Sequence, residues 1–391
     1  MRTSSYVSRS VVLFGVVLLA SAVAPARTFE VVVALDLPDN NPGNGFCVAT
    51  VGSFGVCTLR AAVEEANAYP GHDVILVPDG TFVLESQYGQ LTIEGGVSIH
   101  GYGAWNTVIE TDGFHRMFEV ESGVAATIAG MTLRGAAASG LGGAIVTASG
   151  SSLAITRVWF DGNSVGGSCG ALAARGSVTV RESTFSHNAA LSGPGGAVCV
   201  MLGADLTVIN STFFANAASS GGAIHVATSS GSVTLLSSTL IDNTDTFVAN
   251  GISPSVHLDN GTLHLDKNLI FPGYCYYHDW AAVSSDGGNA EGPSQECVLG
   301  VDGDQVDLTR GALHLGSLGN YGGPVPTMLP GTLSVAVDPP FSSATCPSLD
   351  ARGEPRSGQC DVGAAERQVD DPESGPLFID DFESGDTSAW Q

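Results

Sequence analysis

The sequence carries a single lysine, Lys267. Lysine and arginine together number 14 against 39 aspartates and glutamates, so the formal net charge is −25 at pH 7. A polyanion needs a basic face and this chain has none, which excludes nucleic acid as a partner and disfavours a bare anionic membrane surface. Charged residues are scarce as well, at 14%, and mean hydropathy is +0.22. Disorder needs the opposite combination of low hydrophobicity and high charge, so most of the chain must fold. After the first 26 residues no apolar run approaches the ~20 residues of a bilayer span. No CxxC or HxxxH spacing occurs among the eight cysteines and nine histidines, so the local signatures of zinc are missing. Helical periodicity is nearly absent: the best candidate in the chain after residue 26 is Thr58–Ala68, with Leu59, Ala62, Val63 and Ala66 on one face and Thr58 as N-cap.

What is present begins with an address. Arg2 and Arg9 precede an apolar stretch from Val11 to Val23, and Ala24-Pro25-Ala26 is a small-x-small cleavage site. Residues 1–26 therefore read as a signal peptide, whose removal takes the charge from −25 to −27 by loss of the two arginines. Export implies an oxidising compartment, and Cys47, Cys57, Cys169, Cys199, Cys275, Cys297, Cys346 and Cys360 fit it. Eight cysteines allow 105 pairings; the expectation is sequential, 47–57, 169–199, 275–297 and 346–360.

Glycine, at 51 residues, is about twice its usual ~7%, and much of it is periodic. Gly142-Gly143-Ala144-Ile145 recurs as Cys169-Gly170-Ala171-Leu172, Gly195-Gly196-Ala197-Val198 and Gly221-Gly222-Ala223-Ile224, at spacings of 27, 26 and 26. A second block keeps step: Phe160 with Asn163, Phe185 with Asn188, Phe213 with Asn216, and Leu240 with Asn243. Five residues before each of its leading residues stand Ile155, Val180, Val208 and Leu235, inside stretches that alternate apolar and polar with strand period. A unit of ~26 residues made of short strands without a helix is one coil of a parallel β-solenoid. The expectation is all-β: a single-stranded parallel β-helix of about ten coils between residues 74 and 330, ~50 Å long at the strand spacing, with a short N-terminal capping helix. Phe160, Phe185, Phe213 and Leu240 should stack inside, Asn163, Asn188, Asn216 and Asn243 should form a ladder, and Arg157 should meet Glu182. Residues 27–73 read as an N-terminal cap, 331–369 as a C-terminal cap, and 370–391 as an acidic, loop-like tail expected to be disordered.

Cys57-Thr58-Leu59-Arg60-Ala61-Ala62, followed by Asn67 and Asp79-Gly80-Thr81-Phe82, resembles the N-terminal CSLREA module of secreted bacterial proteins, with Thr58 and Ala61 where the module has Ser and Glu. The glycine and Phe/Asn blocks are similar to repeats of chlamydial polymorphic outer membrane proteins. Asn320–Thr327, Val335–Asp338, Arg352-Gly353 and Cys360–Ala364 resemble a choice-of-anchor C-terminal region, and Phe378–Asp386 resembles a tail of exported proteobacterial proteins. These resemblances imply a right-handed parallel β-helix, exported and held at, or released from, the surface of a Gram-negative cell. They imply no established reaction.

The candidates for chemistry are few. Asn243-Thr244-Asp245 resembles the first motif of polygalacturonases, which makes Asp242 and Asp245 the weak catalytic candidates, although the companion motifs are missing. Asp302, Asp304 and Asp307 offer oxygen ligands for Ca²⁺. Tyr274, Tyr276, Tyr277, His278 and Trp280 form the densest aromatic group, suited to sugar rings or to packing around a Cys275–Cys297 bridge. The expected function is binding or scaffolding at the cell surface, adhesin-like and without catalysis, by a monomer whose partner is a polysaccharide or another envelope component. The alternatives are a lyase or hydrolase of acidic polysaccharide and a purely structural envelope protein.

Overall fold

The computed structural model describes residues 25–227, 230–245, 254–293, 296–297, 300–301, 303–339, 346–356 and 359–372. Residues 1–24 of the expected signal peptide (1–26) and residues 373–391 of the expected tail (370–391) lie outside them. The chain is a parallel β-solenoid. A 17-stranded, an eight-stranded and a five-stranded sheet run along it, and the antiparallel pair Ala49–Val51 and Phe54–Val56 stands apart. The eight-stranded sheet counts about seven turns from Leu91–Ile93 to Cys275–Tyr277. Dividing the whole 74–330 span by the repeat suggests more turns. The last regular parallel strand, however, is Ala290–Glu291, and beyond it the pairing is reduced to a single parallel bridge from Ala290 to Gln305. Among the described residues no helix is long and apolar enough to cross a membrane.

The register is the one the repeat predicts. Ile155, Val180, Val208, Leu235 and Leu265 are stacked partners, and so are Phe160, Phe185, Phe213, Leu240 and Ile270. The Phe160, Phe185 and Phe213 rings lie parallel with centroids 4.4 and 4.7 Å apart, fully buried; each stacked pair adds about 1 kcal/mol beyond burial. Asn163, Asn188, Asn216 and Asn243 form the expected ladder, all buried. In each rung the backbone N–H and the side-chain amide both donate to the Oδ1 of the next coil's asparagine, at 3.0 and 2.9 Å for Asn188 on Asn216. The same amide also reaches the previous coil's backbone, Phe160 O in the case of Asn188.

A second ladder has no counterpart in the sequence reading. Ser183, Ser211, Ser238, Asn268, Asn289 and Asp304 are linked coil to coil, each backbone N–H donating to the side-chain oxygen of the next, and Asn268 and Asn289 add a second bond through Nδ2. Both ladders solve the same problem. In the first, the residue before each rung is Gly162, His187, Ala215 or Asp242; in the second it is Glu182, Asn210, Ser237 or Lys267, and every one has positive φ. That left-handed corner costs a non-glycine residue about 1–2 kcal/mol, and the rung that follows satisfies the buried corner amides.

The paired glycines divide their work. The first position takes positive φ (+62 at Gly142, +73 at Gly195), and Cys169 adopts it at +71. The second is a close approach: a Cβ on Gly196 would lie 2.7 Å from the Ala217 amide nitrogen and closer still to Gly222 O.

The helix Leu59–Ala68 is capped by the Thr58 hydroxyl, which accepts from the Ala61 amide at 3.0 Å, and it packs against the strands His72–Val77 and Leu91–Ile93. The four disulfides are 47–57, 169–199, 275–297 and 346–360. Arg157 and Glu182 form their ion pair at 2.7 Å, an exposed contact worth less than about 1 kcal/mol.

Described residues between Leu313 and Ala364, partly in the span expected as solenoid (to 330) and partly in the expected C-terminal cap (331–369), lie along the flank of the coils. Trp105 Nε1 donates to Gly323 O at 2.9 Å, Thr184 donates to Pro326 O, Thr212 bonds Thr327, and Ala364 N donates to Thr239 Oγ1 at 2.9 Å. The reason is outward apolar surface on the last coils. Ile241, Leu269 and Ala290 form a separate cluster with Leu313, Met328, Ala336 and Val362 from this segment. Arg352 and Arg356 are buried within it against Asp350, Asp371 and Glu366.

The two kinds of glycine should respond differently to a methyl group. Gly196→Ala is expected to cost about 3 kcal/mol, because backbone atoms of the next coil cannot move aside. Gly162→Ala, at φ +61 with no atom within 4 Å of the new Cβ, is expected to cost about 1 kcal/mol. Urea unfolding of the two variants measures the difference.

Candidate functional site

Most strands of the eight-stranded sheet bury their first and third residues in the tube and turn the central one outward. The outward column runs Thr92, Glu119, Val146, Ala173, Cys199, His225, His257, Tyr276. Val146, Ala173 and Cys199 pack with Cys169 in a small apolar cluster. The chemistry then changes. His225 is 3% exposed, and His257 stacks beside it with ring centroids 5.0 Å apart. Both turn Nε2 to one carboxylate: His225 lies 3.4 Å from Asp259 Oδ2 and His257 3.2 Å from Asp259 Oδ1. Their Nδ1 atoms have no hydrogen-bond partner among the described residues. Gly221, at φ +65, carries the preceding turn over this column; a Cβ there would lie 3.2 Å from His257 Cβ.

Burial pushes His225 from 6.5 down to about 4, against the pull of Asp259. Burial lowers His257 too, opposed by Asp259 and Asp245. Both rings are therefore neutral near pH 7. One donor atom from each of His225, His257 and Asp259 lies within 4.8 Å of the others, the group among the described residues able to hold a metal ion.

The structure divides the sequence candidates. Tyr276 lies against His257 at 4.7 Å between centroids, and His278 meets Tyr276 edge-on at 5.2 Å, so two of the five aromatic-cluster residues border the histidine pair. Tyr276 and Tyr277 are each 40% exposed and Trp280 is 81% exposed, while Tyr274 is half-buried. The two acids proposed for catalysis serve different neighbours. Asp242 forms a two-pronged ion pair with Arg310, Nη2 to Oδ2 at 2.8 Å. Asp245, buried at the end of the column that holds Ala218, acts on His257. Of the Ca²⁺ candidates, Asp302 lies outside the described residues and Asp307 is exposed. Asp304 terminates the second ladder, accepting from Asn289 N at 2.9 Å, Asn289 Nδ2 at 3.1 Å, Ser285 Oγ at 3.1 Å and Val301 N at 3.1 Å.

Sequence reasoning missed the histidine pair. His225 and His257 are 32 residues apart, outside any local metal-ligand spacing. The signal that finds them is their place in the repeat, each directly after an inward residue, Ile224 or Val256. No known protein family, curated protein or solved structure matches this chain.

The depressed His225 pKa has a definite sign. The unfolded chain binds more protons than the folded one between pH 6.5 and about 4, so this contribution is complete above pH 6.5 and is lost as pH falls toward 4. Asp361, pushed up to about 6 by burial, acts in the opposite direction in that window. Comparison with His225→Gln cancels it. The stability advantage of the parent over this variant is expected to fall by about 3 kcal/mol between pH 7 and pH 4. Unfolding curves across that range measure it.

Proposed function

We propose that this chain is an exported, surface-associated protein of a Gram-negative envelope, a right-handed parallel β-helix whose helix Leu59–Ala68 caps one end, and that it binds a glycan without catalysis. The observation that carries this reading is the group of solvent-facing rings beside one end of the eight-stranded sheet, Tyr276, Tyr277 and Trp280. Aromatic faces left open to water are costly without a partner and stack on the apolar faces of sugar rings. The signal-peptide pattern, the four disulfides and the likeness of Cys57–Ala62 to the CSLREA module support export. Asp242, engaged by Arg310, gives the hydrolase reading no support.

The test is a panel of acidic and neutral polysaccharides in retardation gels, with ultraviolet absorbance of unsaturated uronate and new reducing ends followed in parallel. At least one polysaccharide is expected to retard the protein without turnover, and Trp280→Ala, a change at an exposed side chain, should weaken that retardation about tenfold. Turnover would replace this reading with an enzyme, and no retardation by any polysaccharide would leave a structural rod.

A further inference from the structure

Nothing in the solenoid requires histidine at the outward position of the eight-stranded sheet; the earlier coils fill it with Thr92, Glu119, Val146, Ala173 and Cys199. Two successive coils nevertheless place imidazoles there, and Asp259, two residues beyond His257, turns its carboxylate to both. The distances discriminate between two accounts. N–H···O hydrogen bonds have N···O distances near about 2.9–3.0 Å. Donors held about 2.1 Å from one ion in tetrahedral geometry stand about 3.4 Å apart. The separations of 3.4 Å to Asp259 Oδ2 and 3.2 Å to Asp259 Oδ1 are both longer than an ordinary hydrogen bond, and one ligand atom from each residue lies within 4.8 Å of the other two.

We propose that His225, His257 and Asp259 bind one divalent transition ion of the zinc class, leaving a coordination position open to water or to an outside ligand. Imidazole nitrogen selects zinc, copper or nickel over calcium and magnesium. Metal ligation needs neutral imidazole, and burial keeps both rings in that form. Each ring is tethered only through Nε2 among the described residues, since neither Nδ1 has a partner. Access is built in: the His225 and His257 side chains are 4% and 14% exposed, whereas Asp259 is 48% exposed, so an ion enters from the carboxylate side and keeps one face toward solvent. Asp245, whose charge acts on His257, adds negative potential. This inference goes beyond the glycan reading and takes none of its rings, Tyr276, Tyr277 and Trp280, as a ligand, although Tyr276 packs against His257.

The experiment uses the full exported chain, stripped with a chelator and dialysed, then titrated with Zn²⁺ by calorimetry and with Co²⁺ by visible absorption. The expected result is one ion per chain at low-micromolar affinity or tighter, with the cobalt spectrum of a tetrahedral nitrogen–oxygen site. Asp259→Asn and His257→Gln should each weaken binding at least about tenfold. Asp259 is half exposed, so its variant should keep the parent's melting temperature in chelator and report on binding rather than folding. No saturable Zn²⁺ binding by the parent protein, or binding unchanged in both variants, would overturn the proposal. A chain that binds zinc while ignoring every polysaccharide refutes only the glycan reading; one that binds polysaccharide and no zinc refutes only this one.

Discussion

Two corners of the central coils bury backbone amides that no strand satisfies, and the side-chain ladders that cross those corners are the constraint on which the rest depends. A β-strand pairs its own N–H and C=O groups with the coils above and below, but a left-handed corner points them into the interior. Asn163, Asn188, Asn216 and Asn243 answer with an amide that donates in one direction and accepts in the other. Serine serves at the second corner, where one acceptor is enough, until Asn268, Asn289 and Asp304 take over at the far end. A buried polar group left unpaired costs about 1–3 kcal/mol, so each rung fixes register as well as stability. The Phe160–Phe185–Phe213 stack and the Gly196 contact have meaning only once that register is set.

Fixed register has a chemical consequence. A residue becomes the neighbour of whatever stands one coil away, about 25 to 32 residues distant in sequence. His225 and His257 meet in this way, and so do Arg157 and Glu182. One carboxylate, Asp259, then serves two histidines, and the exposed rings of Tyr276 and Tyr277 continue the same stretch of sheet. Two candidate activities, ring stacking and metal ligation, thus share one end of one sheet.

Much of the fold was legible because the repeat is chemically conservative where it matters. Phenylalanine and asparagine recur at fixed phase, so their columns and partners could be read directly, as could the ion pair of Arg157 with Glu182 and the sequential disulfides. The second ladder was not legible, because its rungs change from serine to asparagine to aspartate while keeping only an acceptor oxygen in common. The flank packing of residues 321–366 was hidden for a related reason: Ile241, Leu269 and Ala290 look like ordinary strand residues, and only the structure shows that they face outward and need cover. The histidine pair escaped a search for local spacings, since insertions between the coils stretch its separation to 32 residues.

Asn216 sits at the centre of the first ladder, fully buried, accepting from Asn188 N and Nδ2 and donating to Asn243 Oδ1 and Phe185 O. The most direct measurement is the unfolding free energy of Asn216→Ala from urea titration. If the ladders hold the coils in register, the loss is about 3 kcal/mol or more, because donors and acceptors on both neighbouring coils lose their partners at once. A loss below about 0.5 kcal/mol, the range of an ordinary surface substitution, would contradict the account and leave apolar stacking alone as the determinant of the fold.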